Sequence, residues 1–425
     1  MMLTPDGDVK EGVCVGVRDD RIAYIGDSAI EGGWGEVYEG AGKLLMPGFY
    51  NAHAHSPMTL MRGYGENLAL HEWLITRIFP FEANMYPEAV YYATLLAMSE
   101  SFRYGIVSTS DSYFHAEAMA RAVMDSGAKA NIARSLAGFD EDQDMYDMDS
   151  FLEARRLFEE YDGVGNGRVR IDMSLHMEET STERLARQLA EYSAEEGTRM
   201  QVHISETESS HEGCKERHEG RTPVAYLDDV GLFDSPTTAA HCVWVDEGDM
   251  AIMKEKGVTV ASCPISNLKL VSGVADIPAL IDAGVAVAIG TDSVASNNSL
   301  NFIEEMKFFA LLSKERRGDP TLVTPRQTVH AATRVGALSQ GREDCGLIEE
   351  GFKADLIVLD LSSPGMHPAF DLYSNIVYSA SGGDVVFTMI DGEVVYDDGK
   401  YPTIDVERAI RETEKTCRAI AAETD

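Results

Sequence analysis

Histidines and carboxylates recur in this sequence at spacings that suit metal chemistry. Asn51-Ala52-His53-Ala54-His55 sets two imidazoles two residues apart, and in an extended segment residues i and i+2 point to the same side. Each ring can then offer one nitrogen to a single ion. His203, in Gln201-Val202-His203-Ile204-Ser205-Glu206-Thr207, and Asp292, in Gly290-Thr291-Asp292-Ser293, would complete a set of three imidazoles and one carboxylate. Such a set suits one divalent metal, Zn2+ first and Fe2+ or Mn2+ also, and leaves a position for water. A bound divalent ion brings the pKa of its water toward neutrality, so the chemistry implied is metal-assisted hydrolysis. His241, in Ala239-Ala240-His241-Cys242, recurs in a similar context. Each residue also has an ordinary reading, since histidines are commonly satisfied by hydrogen bonds and an Asp at such a position can cap a turn or helix.

These residues meet only if the chain between them alternates strands and helices. Candidate strands are 43–46, 106–110, 130–134, 169–175, 200–203, 237–241, 258–262 and 285–290; candidate helices between them include 116–126, 182–196, 250–256 and 302–314. Eight such alternations predict a (β/α)8 TIM barrel over a doubly wound open sheet. All strand C-termini of a barrel face one mouth. His53 and His55 follow the first strand, His203 ends the fifth, His241 ends the sixth and Asp292 follows the eighth. Coincidence at four strand ends outweighs the separate ordinary readings. His71, His211, His218, His330 and His367 lie in helical or loop contexts and read as structural or surface residues; His115, after the second strand, stays open.

The ends of the chain read differently. Residues 12–17 and 21–25 flank Asp19-Asp20 as a hairpin, Ala354–Asp360 is a buried strand, and Asp391-Gly392 is a hairpin turn. Segments 1–45 and 345–402 are therefore expected to form one small composite β-sandwich domain around a barrel of 46–344, with 403–425 a C-terminal helix. Net charge is −35, with 12 Lys and 24 Arg against 71 acids, which disfavours nucleic acid or an anionic membrane surface as partner; the acid excess reads as solubility. Six scattered cysteines without a Cys-x-x-Cys pair fit reduced thiols. There is no apolar run of transmembrane length, and Met1–Asp6 lacks the basic start of a signal peptide, so a cytoplasmic enzyme is the expectation.

Pro47-Gly48-Phe49-Tyr50-Asn51-Ala52-His53-Ala54-His55-Ser56-Pro57-Met58-Thr59-Leu60-Met61-Arg62-Gly63 resembles the first-strand motif of the amidohydrolase superfamily, and within it the S-adenosylhomocysteine/5′-methylthioadenosine deaminases and their 5′-deoxyadenosine deaminase relatives. His71-Glu72-Trp73-Leu74, His203–Thr207, Ala239–Cys242, Ser266–Leu270 and Gly290–Asn301 extend the resemblance over nearly the whole chain. It implies deamination of an adenosine-type nucleoside, with His53, His55, His203 and Asp292 as ligands of one metal. It implies Glu206 as proton-shuttling acid, also touching substrate, and His241 as the histidine that orients water. Trp73 matches an aromatic pocket wall, Glu82 the carboxylate on the ribose hydroxyls, and Arg134 and His176 further substrate contacts. Homo-oligomers are common among similar proteins. The chain departs from the pattern at Ser174-Leu175-His176-Met177-Glu178-Glu179, where the family has Pro-His-x-Pro-Tyr. It departs again at Gly138–Asp144, where acids stand in place of a second arginine, which favours 5′-deoxyadenosine, methylthioadenosine or adenosine. The competing readings are a guanine- or triazine-type hydrolase of the same superfamily and an inactive barrel kept for binding.

Overall fold

The computed structural model describes residues 1–29 and 35–424. Residues 30–34 of the expected N-terminal β-segment and residue 425 of the expected C-terminal helix lie outside them. The chain opens with β1 (Met2–Leu3), β2 (Val9–Lys10), the hairpin β3 (Cys14–Arg18) and β4 (Arg21–Gly26), and β5 (Lys43–Pro47). The barrel follows. Its strands are β6 (Phe49–His55), β7 (Ile106–Ser112), β8 (Lys129–Ala133) continued by β9 (Ser135–Leu136), β10 (Val169–Ile171) continued by β11 (Met173–Met177), β12 (Met200–Ile204), β13 (Thr237–His241), β14 (Thr259–Ser262), and β15 (Ala286–Ile289) continued by β16 (Asp292–Ser293). After it come β17 (Leu356–Asp360), β18 (Val385–Ile390) and β19 (Glu393–Asp397).

Parallel ladders run β10-β8-β7-β6-β16 and β15-β14-β13-β12-β11-β9, and the two arcs together make the eight-stranded barrel. Closure occurs where Asp292 pairs with Ala54 and Ser293 with His55. Asn51 locks this seam: its amide donates to Thr291 Oγ1 at 2.7 Å, and its carbonyl oxygen accepts from Thr291 N–H at 3.0 Å. Small side chains fit the narrow lumen, with Ala52, Ala261 and Ala288 packed together on the first, seventh and eighth strands. The expected fourth strand, 169–175, is broken at Asp172. That buried carboxylate accepts from Asn131 and Gln201, both at 3.0 Å, so a polar layer interrupts the ladder.

The first strand corrects the expectation. Residues 43–46 belong to β5, which pairs with β17 (Leu45 with Val358) in an outer six-stranded sheet of order β19-β18-β17-β5-β1-β2. The chain crosses from that sheet into the barrel at Gly48. Its N–H donates to Asp355 O, and a Cβ there would lie 2.3 Å from Val107 Cγ1. The barrel strand is instead Phe49–His55, so His53 and His55 sit within it rather than after it. Helices start where caps allow. Thr182 Oγ1 accepts from Leu185 N–H, beginning the helix Glu183–Glu196. An Asp246–Asp249 capping box moves the expected 250–256 helix start forward to Glu247. Among the described residues no helix is long and apolar enough to cross a membrane.

Candidate metal centre

The barrel mouth gathers the residues expected there. Ligating atoms of His53, His55 and His203 lie within 4.8 Å of one another. Asp292 Oδ1 is 3.7 Å from His53 Nε2 and 3.6 Å from His55 Nε2. Gly290 makes the approach of the eighth strand to the first feasible, because a Cβ there would fall 2.9 Å from His53 Cβ.

Hydrogen bonds fix which nitrogen each ring presents. His55 Nδ1–H donates to Ser112 O and His203 Nδ1–H to His176 O, each at 2.7 Å. A carbonyl can only accept, so both Nε2 atoms carry lone pairs. They nevertheless face each other at 3.3 Å. His53 Nε2 is buried and has no hydrogen-bond partner. The inward lone pairs of His55 and His203 beside a carboxylate repel one another unless a cation lies among them, and with the unpartnered His53 Nε2 the donor set fits a divalent ion. Burial first, and the neighbouring imidazoles second, hold His53 and His203 well below the ordinary imidazole range, so these rings are neutral donors.

The carboxylate is steered from behind. Ser266 Oγ donates to Asp292 Oδ2 at 2.5 Å, Ser296 Oγ to the same oxygen at 3.1 Å, and Ser293 N–H to Oδ1 at 2.7 Å. Ser205, His241 and Asp292 all take left-handed backbone angles (φ 46°, 71° and 57°). Such strain persists only where surrounding bonds over-determine it. Here Val243 N–H and Trp244 N–H both bond Ser205 O at 3.1 Å.

Glu206 and His241 form the second half of the site. Glu206 Oε2 lies 3.6 Å from His241 Nε2, and Ser272 Oγ donates to Glu206 Oε1 at 3.1 Å. His241 Nδ1 is paired with Asn267 Oδ1 at 2.9 Å, which turns Nε2 toward Glu206. Burial raises the Glu206 carboxyl above its ordinary range, against the opposing pull of His241. The ring of His176 lies 5.2 Å from that of His203, and burial pushes it down to about 4. Glu82 accepts from Tyr113 O–H at 2.6 Å, and the Tyr113 ring is 6.1 Å from that of His55. Arg134 donates to Glu153 Oε2 at 2.8 Å. Trp73 is buried in the large apolar core.

Sequence reasoning missed the supporting groups. Asp111 accepts Ser56 N–H on both oxygens (3.1 and 3.2 Å), holding the turn after His55, and burial pushes it up to about 6. The second strand runs on to Ser112 rather than ending at 110, and the strand-end rule applied there would have found Asp111. Asn267 and Ser266 lie in the Ser266–Leu270 stretch, whose residue types by themselves assign them no role. His115 donates from Nε2 to Met85 O at 3.2 Å and precedes the helix Ala116–Ser126. His218 pairs with Glu178 at 2.8 Å and stacks on Tyr226, as a structural histidine would.

The chain is similar to several known proteins. It is 38% identical to the 5′-deoxyadenosine deaminase of Methanosarcina mazei, over 99% of this chain and 96% of that one. It is 37% identical to the 5-methylthioadenosine/S-adenosylhomocysteine deaminase of Moorella thermoacetica, over 96% and 95%. Among solved structures, a zinc-bound adenosine deaminase from Xanthomonas campestris superposes with a TM-score of 0.90 at 27% identity, covering 99% of this chain and 97% of that one. The sequence profile of the amidohydrolase family matches residues 44–395. With the profile spanning the whole barrel, and relatives matching along nearly the full length, the chain belongs to the amidohydrolase family.

Proposed function

We propose that this chain is a metal-dependent aminohydrolase that converts an adenosine-type nucleoside and water to the inosine-type product and ammonia. The observation that carries this reading is the cluster of three inward-facing imidazole nitrogens with Asp292, next to the buried Glu206–His241 pair. The deaminase names of the relatives support the substrate class. His53, His55, His203 and Asp292 would hold one divalent ion; nitrogen-rich donors and the zinc of the Xanthomonas neighbour favour zinc. Bound there, the ion supplies Lewis acidity that lowers the pKa of a water.

The residues do the rest. Asp292 takes a proton from the water, and His241 orients that water toward C6 of the adenine ring. Glu206, whose carboxyl burial raises above its ordinary range, gives a proton to N1, so negative charge does not build up on the ring as water adds at C6. Asp292 returns its proton to the C6 amino group, which leaves as ammonia, while the C6 hydroxyl passes its proton back to Glu206 and becomes the C6 carbonyl. Glu82 accepts from ribose hydroxyls, with Arg134, His176 and Trp73 completing the pocket. A free base leaves Glu82 buried without those donors, which disfavours guanine.

In the same reading residues 1–45 and 345–402 make one small β-sandwich beside the barrel. The shared cluster of Met2, Ile22, Ile348, Ala354 and Leu356 supports it. The helix Val406–Thr424, with Ala409 and Ile420 buried in the main core, closes the chain against the barrel.

An ammonia-release screen of the zinc-loaded protein over adenosine, 5′-deoxyadenosine, methylthioadenosine, S-adenosylhomocysteine and guanine tests the assignment. Ammonia from the nucleosides and none from guanine is expected. Preference for guanine, or no release from any nucleoside, overturns it.

A further inference from the structure

Arg134 is already spoken for. It lies between β8 and β9, and its Nε donates to Glu153 Oε2 at 2.8 Å while Nη1 donates to Ser135 O at 2.6 Å. Its guanidinium lies 4.7 Å over the Phe114 ring, a cation–π contact. Glu153 is fixed as well: on the helix Asp149–Tyr161, its other oxygen accepts Ala116 N–H at 3.2 Å. Both side chains are mostly buried, 16% and 28% exposed, so solvent screens the pair poorly.

The pair also sits on a particular side of the site. Tyr113 stands by His55, Glu82 is bonded to Tyr113, and Arg134 lies over Phe114, whose ring is 5.1 Å from that of Tyr113. From the histidines outward these contacts run through Tyr113 to Glu82 on one branch and through Phe114 to Arg134 and Glu153 on the other. With C6 at the metal ligands and the ribose hydroxyls on Glu82, the 5′ substituent leads on toward Arg134. This placement rests on the nucleoside reading above.

We propose that Glu153 neutralises Arg134 in advance and makes the 5′ end of the pocket selective for uncharged 5′ substituents over carboxylate-bearing ones. An incoming carboxylate must either displace Glu153 from a bond supported by a helix N-terminus or settle beside it as a second anion. Both cost binding energy in a poorly hydrated place. A hydrogen or a methylthio group at the 5′ position asks nothing of the arginine.

Steady-state kinetics of the zinc-loaded enzyme on 5′-deoxyadenosine and S-adenosylhomocysteine, for the native chain and Glu153→Gln, decide the matter. The native enzyme is expected to favour 5′-deoxyadenosine in kcat/KM by about tenfold or more. In Glu153→Gln the ratio of S-adenosylhomocysteine to 5′-deoxyadenosine rises about tenfold, through KM for S-adenosylhomocysteine rather than kcat. Equal native preference, or a variant in which both substrates change by the same factor, overturns the inference and leaves the deaminase reading intact. Turnover of neither nucleoside overturns both. Arg134→Gln guards against a misfolded variant: it removes the cation, so Glu153→Gln added to it gives no rise in the ratio; a rise in that background also overturns the inference.

Discussion

Glu206 and Glu82 are two buried carboxyls with different neighbours, and their roles separate accordingly. Glu206 faces His241 and is held above the ordinary carboxyl range by burial. A protonated acid beside the reacting ring is what delivery to N1 requires. Glu206→Gln is expected to lower kcat by about 10²–10⁴-fold with zinc content unchanged by atomic absorption; a variant keeping most of its rate removes Glu206 from the mechanism. Glu82 faces Tyr113 instead, and burial pushes it up to about 7 against the pull of Tyr113 and Arg134. Only its ionised form accepts from two ribose hydroxyls. KM for 5′-deoxyadenosine should therefore fall as pH rises through about 7. Glu82→Gln should raise KM and flatten that dependence. A pH-independent KM in the native enzyme would assign ribose recognition elsewhere.

Strand ends and the barrel seam set the geometry that these residues use. The strand ends at Ser205, His241 and Asp292 are bent by left-handed angles that only a dense hydrogen-bond frame tolerates. Asp292 arrives on β16, the short continuation that pairs with β6 and closes the barrel. Asn51 bonds Thr291 in both directions across that closure. Asn51→Ala leaves the buried Thr291 N–H without its acceptor. The expected cost is about 1–3 kcal/mol, read as a lower urea midpoint at constant m-value. Zinc affinity should fall along with it, since the seam carries a proposed ligand on each side. A stable variant with intact zinc affinity would mean that the seam is held by the strand pairing alone.

At the scale of the molecule, one buried charge cluster ties the barrel to the outer sheet. Lys129 begins β8 and bonds both oxygens of Asp355 (2.7 and 2.6 Å), with Asp391 Oδ1 at 2.7 Å. Tyr50 O–H and Asp391 N–H also donate to Asp355. Burial works to raise Asp355, but Lys129 and these donors outweigh it and hold the carboxyl at about 2. Its folded pKa lies below the unfolded value of about 3.9. The cluster thus stabilises the fold above about pH 4, and that contribution is lost as pH falls from about 4 toward 2. Lys129→Met strands two carboxylates in the interior and should cost about 3–5 kcal/mol. It should also blunt the acid-induced loss of stability between pH 4 and 2, measured by urea unfolding at several pH values. An unchanged midpoint at neutral pH would show that the cluster does not hold the two parts together.

Periodicity and composition alone determined the barrel, the helices at 116–126, 182–196, 302–314 and 406–423, the two hairpins and the strand ends on which His203, His241 and Asp292 fall. These are local features: apolar runs of strand length, caps such as Thr182, and turn pairs such as Asp391-Gly392 leave marks within a few residues. The sequence misassigned 43–46 because an apolar run does not say which sheet it joins. That choice depends on Val358 and Asp355, some three hundred residues away, and on the close packing of Gly48 against Val107. Only the tertiary structure decided the tautomers of His55 and His203, since they follow from the backbone carbonyls of Ser112 and His176. It alone revealed Asp111 and Ser296 as supports, and Glu153 as the partner of Arg134. Such contacts join residues whose sequence separation carries no period, so no window along the chain records them.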